Sequence, residues 1–183
     1  MRYLSIFVFA LFLVPSSATA GQPLTPRPLD PVAIDAFALA QAQSALVRSL
    51  VATLEASDVI VHIVSSRTLP MGVGGTTQFV TSRGGYRYVR ITIAVDLSRT
   101  GRAAILGHEL QHASEVAASQ ADNAESVEQW FVQAGHRAGP YFETRAARDA
   151  ERQIRDELRA SRAALRLRSG HALQAQPVVK FDH

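Results

Sequence analysis

The chain has 183 residues, 47% of them hydrophobic and 19% charged, which suits one domain with a single core. Its net charge of +3 is too small to argue for a nucleic-acid partner. Cysteine is absent, which excludes disulfides and lipid attachment through a thiol.

The N-terminus predicts export. Arg2 supplies a positive start, Leu4 to Val14 an apolar stretch, and Ala18-Thr19-Ala20 a cleavage site of the A-x-A kind. The apolar stretch is short for a membrane span, so residues 1–20 read as a signal peptide rather than an anchor. Its removal would leave 163 residues, to act in the periplasm or outside the cell. Contact with a membrane is expected only through an uncleaved signal peptide.

Residues 21–33 hold four prolines (Pro23, Pro26, Pro28, Pro31) and read as an extended leader arm. Asp30 or Asp35 can start a helix running to about Glu55, with Ile34, Phe37, Leu39, Leu46, Leu50 and Leu54 near helical period. A β-rich block follows. Asp58 to Ser65 is β-branched and reads as a strand, with His62 as a packed core or edge residue. Thr68 to Thr76 is a glycine-rich loop; it lacks the phosphate-loop lysine and following helix. Thr77 to Ser82 is a weaker strand, and Gly84-Gly85 a two-residue hairpin turn. In Tyr86 to Val95, Val89, Ile91, Ile93 and Val95 alternate with Arg90, Thr92 and Ala94, the pattern of a strand with one buried face.

A helix is predicted from about Arg102 to Ser119, with Ser98 or Thr100 as its N-cap. It carries His108-Glu109-Leu110-Gln111-His112. Residues i and i+4 of a helix lie on one face, so the two imidazoles can bind one Zn²⁺. Glu109 can then act as general base toward a water activated by the metal. Gly107, just before the motif, would allow close packing of a strand over the helix. A second helix is expected over Ala124 to Ala134, a turn over Gly135 to Pro140, and a long helix from about Phe142 to Leu167. Residues 169–183 read as a loosely ordered tail. The domain proper would span residues 34–168 and belong to the α+β class, a small antiparallel or mixed sheet packed on the motif helix.

A catalytic zinc site needs a third protein ligand and an open position. Glu115 lies on the ligand stripe, but seven residues of helix span about 10 Å, too far to share a metal with His108. It suits a hydrogen bond to His112 instead. Glu143 heads the apolar stripe Ala147, Ala150, Ile154, Leu158 and Leu165, where a carboxylate needs a partner and a metal would supply one. Tyr141 and His136 could each donate a hydrogen bond to an oxyanion. The arginines of the last helix, from Arg145 to Arg166, are interleaved with Asp149, Glu151, Asp156 and Glu157 and read as a solvated face.

The H-E-x-x-H segment, and the order of helix, strands, motif helix and later helices, resemble the zincin zinc metallopeptidases. The likeness covers roughly residues 59–158. It implies a minimal zincin-like domain of the gluzincin type, with His108, His112 and Glu143 holding zinc and Glu109 as base. Glu143-Thr144-Arg145-Ala146 loosely matches the segment that bears the third ligand in gluzincins. The E-x-x-x-D variant is not matched, since Asp149 falls two residues beyond. The likeness further implies a peptide or protein substrate lying along the strand Tyr86 to Val95. Two other functions fit the same sequence: a zinc amidase acting on cell-wall peptides, and a non-enzymatic exported module that binds an anionic surface through the arginine-rich helix.

Overall fold

The computed structural model describes residues 25–138 and 141–174. The expected signal peptide and the start of the expected leader lie outside the described residues, as does everything after Gln174. The described leader is not a free arm. Arg27–Pro28 forms a short strand, β1, and Asp30 caps helix α1, Pro31–Gln43. The Asp30 carboxylate accepts from the backbone of Val32 and Ala33, and Ser65 binds it through both its N–H and its hydroxyl. Burial works to raise the Asp30 pKa, but these hydrogen bonds outweigh it and hold the carboxyl below its ordinary range.

The predicted first helix is two helices. Helix α2, Ala45–Glu55, turns 111° from α1. The break is at Ser44, which is extended and fully buried. Its hydroxyl accepts from Val47 N and donates to Glu157 Oε2 at 2.5 Å, so a long-range partner wins over apolar periodicity. Among the described residues no single helix is long and apolar enough to cross a membrane.

The fold is α+β. Strands β2 (Val59–Ser66), β3 (Gly75–Arg83) and β4 (Tyr86–Ala94) join β1 in a mixed sheet of order β1-β2-β4-β3. β2 is parallel to β1 and to β4, whereas β3 and β4 form an antiparallel hairpin. Gly84 and Gly85 make its turn with φ of 61° and 81°, a region that suits glycine. β4 is therefore paired along both edges. The strand expected to receive substrate offers no free edge; β3 does, because it lies at the end of the sheet.

Val59, Val61 and Ile63 of β2 and Val89, Ile91 and Ile93 of β4 form one buried face, as the alternation predicted. Helix α3, Arg99–Ala118, packs on it, with Ser98 as N-cap. Helices α1, α2 and α5 (Arg145–Gln174) cover the opposite side of α3. Gly107 serves that second contact and not a strand. A Cβ there would overlap Ile154 Cδ1 of α5 and press on Val47 of α2.

Arg87 locks the far end of α3. It is buried, forms a two-point ion pair with Asp58, and reaches the carbonyl oxygens of Val116, Ala117, Ser119 and Ala121 at 2.7–3.0 Å. These include carbonyls that a helix C-terminus leaves without partners. Helix α4 spans Ala124–Ala134, closed at its start by reciprocal Asn123 and Ser126 bonds. The following segment is a hairpin, β5 (His136–Ala138) with β6 (Tyr141–Glu143). The last helix thus begins at Arg145, three residues later than the sequence suggested, and continues through Gln174 into the expected tail.

Candidate metal centre

Three elements bring the site together. His108 and His112 project from one face of α3, their rings 4.9 Å apart and edge to face. Glu143 comes from the end of β6. It is not on the apolar stripe of α5, because Thr144 caps that helix by accepting from Ala147 N. Ala147, Ala150, Ile154 and Leu158 are buried as predicted, whereas Leu165 is exposed. The hairpin holds Glu143 in place through the His136–Glu143 pairing. Gly135 makes that closure possible; a Cβ there would stand 2.6 Å from the Glu143 carbonyl oxygen.

Glu143 Oε1 is 3.6 Å from His108 Nε2 and 4.0 Å from His112 Nε2. Ligand atoms of the three residues lie within 4.8 Å of one another. Atoms bound tetrahedrally about 2.0–2.1 Å from zinc stand roughly 3.3 Å apart. The observed gaps are slightly wider than that and too long for hydrogen bonds. Glu143 Oε1 is buried and has no hydrogen-bond partner among the described residues. An unpartnered buried carboxylate oxygen facing two imidazoles fits a divalent cation, and this cluster could hold one.

The outer faces of both imidazoles meet carboxylates. Glu115 Oε2 is 2.8 Å from His112 Nδ1, and Thr144 donates to Glu115 Oε1 at 2.7 Å. Glu115 therefore orients His112 and is itself held by the cap of α5. Glu151 Oε2 is 3.3 Å from His108 Nδ1 and also pairs with Arg155. The His108 contact is off the line of a hydrogen bond, and Nδ1 has no hydrogen-bond partner among the described residues. Burial opposes protonation of His108. The adjoining Glu151, with Glu109 and Glu143, more than offsets it and raises the pKa in the metal-free protein. Glu151 is driven down to about 2, mainly by His108, against burial and with help from Arg155. Asp149, by contrast, pairs with Arg145 and Arg152 at the surface.

Glu109 is almost fully enclosed, and burial pushes its pKa up despite the nearby imidazoles and Thr77. Thr77 Oγ1 lies 2.7 Å from Glu109 Oε2. A cavity of about 440 Å³ opens beside these groups. Its walls include Gly72 to Thr77, Ile105, Phe131, Tyr141 and Phe142. Tyr141 thus reaches the cavity. His136 does not line it; its side chain is exposed on β5. His62 is half-buried on β2, remote from this cluster, its pKa lowered by burial and by Arg27 and Arg90.

The sequence reading missed Thr77, Thr144 and Glu151. Only Thr144 carried a local signal, as a threonine three residues before Ala147 at a helix start. No protein-family model, no curated protein and no solved structure matches the chain.

Proposed function

We propose that the protein is an exported zinc-dependent hydrolase of the metallopeptidase kind. His108, His112 and Glu143 would hold the ion. The observation that carries this reading is Glu143 Oε1, buried without a hydrogen bond and aimed at both Nε2 atoms of an i, i+4 histidine pair. Bound there, Zn²⁺ supplies Lewis acidity toward water and toward a substrate carbonyl.

The remaining chemistry belongs to the chain. Glu109 accepts the proton of the attacking water, an uptake that burial favours by raising its pKa, and passes that proton to the departing amine. Tyr141, in the cavity wall, is the candidate donor to the developing oxyanion. An extended peptide would pair with the free edge of β3, whose first residues line the cavity. The arginine face of α5 supports the anionic-surface reading less well, since Arg145, Arg152, Arg155 and Arg159 pair with acids of the same helix.

The test is metal content and hydrolysis of purified mature protein. We expect one Zn²⁺ per chain, casein cleavage by the parent, and a Glu109→Gln variant that keeps zinc and loses cleavage. Absence of stoichiometric zinc, or full activity in Glu109→Gln, overturns the proposal. Cleavage of cell-wall peptides but not casein would move the assignment to an amidase.

A further inference from the structure

Glu109 presents a physical problem. Its carboxylate ends a flexible side chain and is buried, yet a proton acceptor must be held to within about 0.5 Å of its working position. α3 itself offers nothing to hold it, because its neighbours on that face are His108 and His112, which turn to Glu143, Glu115 and Glu151. The solution comes from β3. Alternate residues of a strand share a face, and Gly75, Thr77 and Phe79 face α3. Phe79 packs against the core. Thr77 directs its hydroxyl at Glu109, 2.7 Å from Oε2 and 3.1 Å from the backbone oxygen. Gly75 leaves room for the other oxygen; a Cβ there would stand 2.8 Å from Glu109 Oε1 and 2.7 Å from Ile105 Cγ2.

We propose that Thr77 is the positioning residue of Glu109, and that Gly75 is the notch that lets the held carboxylate reach the cavity. The inference rests on the hydrolase reading for the purpose of the arrangement, though not for its existence. The two oxygens are divided between two tasks. Oε2 receives the single hydroxyl proton of Thr77. Oε1 lies over Gly75, a cavity-lining residue, and is the oxygen left to take a proton from water. Removing the hydroxyl would leave Oε2 buried without a donor and free the carboxylate to swing.

The experiment uses purified protein carrying ¹³C-carboxyl glutamate, with the Glu109 resonance identified by its loss in Glu109→Gln. Thr77→Val keeps the shape and removes the hydroxyl; Thr77→Ser keeps the hydroxyl. We expect Thr77→Val to move the Glu109 resonance, to keep one zinc per chain, and to lower kcat on casein by roughly 10–100-fold with KM unchanged, the scale of a lost supporting hydrogen bond. Thr77→Ser should restore both resonance and kcat. Gly75→Ala should move the same resonance by displacing the carboxylate. An unmoved resonance in folded Thr77→Val overturns the proposal, as does a shift that Thr77→Ser fails to reverse, because packing of the methyl group would then be the cause. If the parent cleaves neither casein nor cell-wall peptides, the hydrolase reading falls, and the resonance still decides whether Thr77 holds Glu109.

Discussion

Replacing Glu143 by Ala separates the metal from the fold. The neighbouring backbone is held by the β5–β6 pairing and by the Thr144 cap, and neither uses the Glu143 side chain. Among the described residues Oε1 has no hydrogen-bond partner to lose. The metal-free variant should therefore melt within about 3 °C of the parent, as a change below roughly 1 kcal/mol would give at this chain length. Zinc binding should respond very differently. Structural zinc sites bind with about 10–16 kcal/mol, so one of four ligand positions accounts for about 2.5–4 kcal/mol. That is roughly a 10²–10³-fold loss of affinity. At a free zinc concentration that saturates parent and variant alike, a 100-fold loss removes about 2.7 kcal/mol of zinc-dependent stabilisation. Chelator competition measures the Kd, and melting with and without zinc measures the linkage. A Kd within threefold of the parent would remove Glu143 from the site.

Glu115→Ala should weaken zinc roughly 10–100-fold, since Glu115 holds the outer nitrogen of His112 and is not one of the three proposed ligands; chelator competition reads this too, and a loss as large as that of Glu143→Ala would mean that Glu115 is a ligand. Arg87→Met should destabilise the metal-free fold by about 3–5 kcal/mol, the usual effect of breaking a buried charged network, and denaturant unfolding will show whether it does. The Arg87 hydrogen bond holds the partner Asp58 below its ordinary value of 3.8, so that this contribution is fully present above pH 3.8 and disappears as pH falls through the lowered value. Acid unfolding of parent and Asp58→Asn should accordingly differ at neutral pH and converge below that point. Replacing Glu109 and Thr77 together by Met and Val should leave the metal-free protein as stable or raise it by about 1–4 kcal/mol, because a buried polar pair gives way to apolar packing; a clear loss of stability in the double variant would mean that the pair supports the fold.

The elements that sequence revealed are those whose cause is local. The α3 motif, the alternation in β4, the glycine turn before it and the whole of α4 follow from period, caps and turn residues. What stayed hidden has a distant cause. Nothing near Ser44 shows that its hydroxyl meets Glu157, so the bend between α1 and α2 could not be read from apolar spacing. The β5–β6 strands have three residues each, too short for a periodic signal, and their absence from the reading put Glu143 on a helix it only precedes. Burial of a carboxylate demands a partner whichever element carries it, and the structure does bring Glu143 to His108 and His112 in a cluster that could hold a metal. Strand order is likewise a tertiary fact: β4 lies inside the sheet and is paired on both edges, so the free edge that a peptide could join is that of β3. Gly75 was read as part of the loop before the strand that Thr77 opens, so neither their shared face nor the helix it meets was visible.

The burial of α3 explains why the site and the fold are hard to separate. His108, Glu109, His112 and Glu115 are all buried on a helix whose other buried residues are Ala, Leu, Gly, Ser and Val. Left alone, each would oppose folding by several kcal/mol, about the cost of an unpaired polar or charged group in the interior. Within α3 the one remedy is the His112–Glu115 contact; the others come from Thr77 of β3, Glu143 of β6, and Thr144 and Glu151 around the start of α5. Docking those elements and assembling the site are thus one event. Thr77, Glu115 and Glu151 engage Glu109 and the outer nitrogens of the two imidazoles. Glu143 Oε1 and the two Nε2 atoms then face one another at distances too long to bond directly. A single divalent ion bound there would satisfy all three, which is the proposal that Glu143→Ala tests.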